Sequence, residues 1–91
     1  MIRKQERVYI PCWLNVLEDI GKNTEIYYSK IARNTGHNIV TIIKCVSEFE
    51  KKGWVSKRSN PKRKHEILVK LTNKGEQPYK KVLALLQEVK Q

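Results

Sequence analysis

The chain has 91 residues, room for one compact domain, and nineteen Lys and Arg against nine Asp and Glu give it a formal net charge of +10. Hydrophobic residues at 40% allow a real core and exclude a disordered tail, while a pI near 9.8 suits a polyanion such as DNA, RNA or an anionic membrane surface. No stretch approaches the ~20 apolar residues of a membrane span, and the basic start Met1–Arg7 has no apolar core of signal-peptide length behind it, so an intracellular, cytoplasmic protein is expected.

Residues 1–9 are polar and basic until Val8 and Tyr9. Pro11 suits the first turn of a helix, and Trp13, Leu14, Leu17 and Ile20 follow at helical spacing. Gly21 is expected to cap that helix. Cys12 and Val16 lie toward a second apolar face, so this helix should touch more than one partner. After a turn at Gly21–Thr24, residues 25–27 predict a short strand and residues 28–34 a short helix with Ile31 facing inward. Gly36 is placed for a left-handed turn.

Asn38 is a favourable N-cap for the next helix. Ile42, Cys45, Val46 and Phe49 fall at i, i+3, i+4 and i+7, opposite Lys44, Ser47, Glu48, Lys51 and Lys52, and Gly53 stops the run. Residues 54–59 and 65–71 read as two strands joined through Asn60-Pro61, a hairpin with a basic tip. Thr72 can cap a last helix carrying Tyr79, Val82, Leu83, Leu86 and Val89 on one stripe. Pro78 would cost that helix a backbone hydrogen bond in its interior, so a short first turn with the main helix starting near Pro78 is predicted. The fold class is α+β, mostly α, as a single domain over 1–91. Its order is helix, short strand, helix, turn, helix, two-stranded hairpin, helix. Two short helices around a glycine-containing turn form the helix-turn-helix signature, and the basic hairpin is the wing.

Three passages carry a resemblance. Ile31-Ala32-Arg33-Asn34-Thr35-Gly36, Phe49-Glu50-Lys51-Lys52-Gly53-Trp54-Val55 and Leu71-Thr72-Asn73-Lys74-Gly75 occur in order at matching spacing. Together they resemble the MarR type of winged-helix regulator, in the small form common in archaea and their viruses, over roughly residues 10–90. The resemblance implies a regulator of transcription, most often a repressor, with the first and last helices forming a homodimer. This chain departs from the pattern in three ways. Tyr27 and Tyr28 stand where Ser or Thr often opens the helix before the turn. The hairpin tip has no acid before Glu66. The terminal helices are shorter than those that enclose a small-molecule pocket in larger members, which leaves any effector open.

The helix over 38–52 is expected in the major groove of double-stranded DNA, with Asn38, Ile39, Val40, Thr41, Ile43 and Lys44 facing it. Asn38 can either pair with adenine or cap the helix, and the cap is favoured. Ile39, Val40 and Ile43 either pack on thymine methyl groups or, for two of them, join the core. Direct readout should be modest, with more help from DNA shape. In the hairpin over 57–65, Lys57, Arg58, Asn60, Lys62, Arg63, Lys64 and His65 are expected on the backbone or minor groove, Arg63 as the inserted side chain. Tyr28, Ser29 and Lys30 could donate to phosphate.

Trp13, Leu14, Leu17, Tyr79, Val82, Leu83 and Leu86 are read as a two-fold interface, the alternative being an ordinary monomer core. Cys12 and Cys45 are too distant in sequence for a metal knuckle, and they read as small buried hydrophobes or, for Cys12, as a bridge between subunits. His37 and His65 have no partner at metal-ligand spacing, and no phosphate loop, nucleophile or zinc motif occurs, so neither an enzyme nor a cofactor is expected. Three further readings compete: an architectural protein that coats DNA without sequence preference, a winged helix used for protein contact and, more weakly, an RNA-binding module.

Overall fold

A computed structural model describes residues 11–90, apart from the side chains of Lys64, His65, Val89 and Lys90. The elements run in the expected order: α1 (Cys12–Gly21), β1 (Ile26–Tyr27), α2 (Tyr28–Thr35), α3 (Ile39–Lys51), β2 (Val55–Asn60), β3 (Arg63–Leu71), a 3-10 turn at Asn73–Gly75 and α4 (Glu76–Lys90). The sheet order is β1-β3-β2, both pairings antiparallel, with Ile26 opposite Val69 and Val55 opposite Leu71.

Helix α1 is preceded by its N-cap Pro11, whose fixed φ and missing N–H cost nothing there. It buries Leu14, Val16, Leu17 and Ile20. Those two faces let it pack on α2, α3, α4 and β3 at once, and it forms the hub of the core. Asp19 on the same helix is also buried, and the Asn34 side-chain amide donates to both its carboxylate oxygens (3.1 and 3.2 Å), which ties α2 to α1. From α2, α3, the strands and α4 come Ile31, Ile42, Val46, Phe49, Val55, Val69, Val82 and Leu86.

Turn chemistry fixes the joints. Gly36 adopts φ +79° after α2, which a side chain would make strained. Thr72 donates its hydroxyl to the Gly53 carbonyl at 2.6 Å and its amide to the Trp54 carbonyl at 2.9 Å, and its hydroxyl oxygen accepts the Gly75 amide at 3.1 Å. A Cβ on Gly75 would collide with the Trp54 carbonyl, so this clasp needs glycine. Pro78 lies in the first turn of α4, where no N–H is needed, and the expected short turn precedes the helix. The main helix begins two residues earlier than predicted, at Glu76.

Two expectations are corrected. Gly21 is the last residue of α1 and the cap is Lys22; glycine is required because the Tyr79 ring lies where a Cβ would project. Leu14, Leu17, Val82 and Leu86, read as interface residues, are buried within one chain because α1 packs directly on α4. Of that set Trp13 and Leu83 stay exposed and Tyr79 half-exposed.

Candidate nucleic-acid interface

The backbone of α3 enters through Asn38, which is extended (φ −78°, ψ 163°) and accepts the Thr41 amide on Oδ1 at 3.0 Å. The cap therefore takes the oxygen that base pairing would use. Ile42 and Val46 turn into the core, while Ile39, Val40 and Ile43 are 40%, 56% and 45% exposed. None of the three joins the core, which removes the reading that placed two of them there. Lys44 is exposed beside them, and Thr41 is half-buried.

Tyr28 packs its ring against the core at the start of α2, whereas Ser29 and Lys30 project to solvent. Tyr28 also lies next to Lys57, so the first turn of α2 meets the base of the hairpin. The hairpin turn is built by Asn60, whose Oδ1 accepts the Lys62 amide at 3.0 Å while its amide donates to Glu66 at 3.0 Å. Both polar ends of Asn60 thus serve the turn itself, which is a change from its expected role against DNA.

The hairpin is less free in charge than its sequence suggests. Arg58 makes a two-pronged pair with Glu25, with Nε at 2.6 Å and Nη2 at 2.8 Å from its oxygens. Hydrogen bonding from Arg58 holds the Glu25 carboxyl below its usual range, and the same pair raises Arg58. Lys57 lies 3.0 Å from Glu50 at the end of α3, and that hydrogen bond raises the lysine. Arg63 meets Glu66 at 3.4 Å and remains largely exposed, a long contact that costs little to break. Lys30, Lys44 and Lys62 have no carboxylate partner among the described side chains. The side chains of Lys64 and His65 lie outside the described residues.

Glu25 and Glu50 are the residues that the sequence did not offer for this surface. Glu25 is 33 positions from Arg58, and no local pattern links them. Glu66 alone was visible, three residues after Arg63.

No family model matches the chain. Over 72 residues it is 28% identical to the uncharacterized HTH-type transcriptional regulator YdcH of Bacillus subtilis, covering 79% of this chain and 49% of that protein. MarR superposes with a TM-score of 0.75 at 17% identity, covering 86% of this chain and 53% of MarR. FabT of Streptococcus pneumoniae, solved in complex with DNA, superposes with a TM-score of 0.73 at 16% identity, covering 84% and 53%. The fold is a MarR-type winged helix. In that winged helix α2 and α3 form the helix-turn-helix, and β2 and β3 form the wing. The chain spans about half the length of these relatives. YdcH and FabT are bacterial, and neither speaks for the archaeal or viral type that the resemblance implied.

Proposed function

We propose that the chain is a sequence-specific regulator of transcription that binds double-stranded DNA as a homodimer and represses by occupying a promoter. The first turns of α3 enter the major groove, and the wing lies on the backbone or in the minor groove. The observation that carries this reading is the uncovered face of α3 in a chain of net charge +10. A soluble domain gains nothing by holding Ile39, Val40 and Ile43 in water, but thymine presents a methyl group in the major groove that such side chains can cover. Lys44 and Lys62 supply free cations for base or phosphate, and Lys30 and Ser29 for phosphate. Arg63 is the side chain for the minor groove, since its link to Glu66 is long and exposed. Trp13 and Leu83, with Leu85, are the apolar surface left for a second copy. FabT, of the same fold, was solved with DNA, which supports the reading.

A second reading, the architectural protein, is favoured by one specific observation: the side-chain oxygen of Asn38 is occupied by the cap, which leaves α3 short of hydrogen-bonding readers. Fluorescence anisotropy with a duplex from upstream of the gene and with a scrambled duplex, at two salt concentrations, separates the two. A preference of about 10³ or more for the native duplex, with both affinities falling as salt rises, is the expected result. Equal, salt-sensitive binding selects the architectural reading. Absence of binding at low salt overturns both.

A further inference from the structure

Cys12 opens α1 and Cys45 lies in the middle of α3, yet the fold sets the two thiols beside each other. Both are free and half-buried. They line one groove of about 550 Å³ whose walls include the rings of Trp13, Phe49 and Trp54 and whose charged residues are Lys44, Lys52 and Glu48. The rings form a continuous stack, Trp13 edge-on to Phe49 at 6.4 Å and Phe49 against Trp54 at 5.7 Å, so the groove floor is firmly packed. Burial pushes the Cys45 thiol up to about 11, and the neighbouring Cys12 adds to this. Cys45 is therefore mostly protonated at neutral pH, so attack by its sulfur is the slow step of any exchange in this groove.

We propose that Cys12 and Cys45 form a thiol–disulfide site that is closed by an anionic low-molecular-weight disulfide into a bond within one chain, tying α1 to α3. The proposal replaces the bridge between subunits expected for Cys12, because the fold already sets Cys45 of the same chain beside it. Three features of the groove suit the chemistry. It gives a small disulfide access to both sulfurs. The Lys44 and Lys52 ammoniums outnumber the Glu48 carboxylate and attract an anionic reagent. Its apolar walls accept the neutral product more readily than a charged one.

The exchange takes two steps. Cys12 releases its proton, its sulfur attacks one sulfur of the small disulfide, and the first small thiolate leaves and is protonated. Cys45 then releases its proton, and its sulfur attacks the Cys12 sulfur of the mixed disulfide. The Cys12–Cys45 bond forms, the second small thiolate leaves and is protonated. The two cysteines lose two electrons, and the small disulfide gains them as it becomes two thiols. The new bond closes a loop containing α1, β1, α2 and the first half of α3, so it restricts the unfolded chain strongly.

Full-length reduced protein incubated with oxidised glutathione tests this by intact mass, a non-reducing gel and thermal unfolding. The expected product is a monomer lighter by about 2 Da (two hydrogens), restored by a thiol reductant. Its Tm is expected to rise by about 10 °C. Cys45→Ser should stop at the mixed disulfide on Cys12. A wild-type chain that keeps both thiols, that stops at the mixed disulfide, or that runs as a disulfide-linked dimer would overturn the proposal, whatever the protein does with DNA.

Discussion

At Glu25, a half-buried carboxylate forms both prongs of its pair with Arg58, and the hydrogen bond lowers its pKa from 4.5. A carboxylate lowered in the folded state stabilises fully above its unfolded pKa, and that contribution is lost as pH falls through the folded value. Glu25→Gln should therefore flatten the stability profile below about pH 4.5 and leave the acid limb of other groups in place. Urea midpoints of both proteins at a series of pH values from about 6 to about 3 check this; parallel curves would show that the pair contributes nothing. Asn38 illustrates the same discipline at a second position. Accepting the Thr41 amide fixes the direction of the Asn38 side chain, and a side chain aimed at its own helix is poorly placed to pair with a base edge.

The elements differ in how openly the sequence declares them. Helix α3 is legible because its apolar residues recur every three or four positions between a capping Asn38 and a stopping Gly53. The wing is legible because a turn signal separates two strand-like runs. The ion pairs on the wing are not, since Glu25 and Glu50 reach it only after the chain has folded back. The interface residues on α1 and α4 failed for a related reason. A leucine at helical spacing looks the same whether it meets its own chain or another, and Leu17 and Val82 are buried in the one core where α1 packs on α4. At this scale Lys62→Ala on the wing turn should weaken binding to native and scrambled duplexes alike. The slope of log affinity against log salt should fall by about 0.9, the value for one phosphate contact. Titrations at several salt concentrations measure it, and an unchanged slope would remove Lys62 from the backbone contacts.

For the whole molecule, the core and the surface available to a second copy can be separated by two substitutions. Leu17→Ala opens a cavity at the hub of α1 and should cost about 2–5 kcal/mol in urea unfolding. Leu83→Glu places a charge on an exposed position of α4 and should leave the monomer folded while dissociating a homodimer. Sedimentation of wild type and Leu83→Glu over a range of concentrations decides the point; identical monomer behaviour of both would remove the homodimer from the proposed mechanism.

The sheet order β1-β3-β2 has a further consequence. It leaves β2 as an edge strand, with one row of backbone donors and acceptors unclaimed by the sheet, a template on which another chain's strand could polymerise. The strand reads Val55-Ser56-Lys57-Arg58-Ser59-Asn60, and its middle is two adjacent cations followed by small polar residues. A strand adding there would have to displace hydrated charged side chains already held in the Lys57–Glu50 and Arg58–Glu25 pairs, so this edge resists aggregation through fixed charge of both signs. The two pairs that neutralise the base of the wing thus also close its open edge to strand addition.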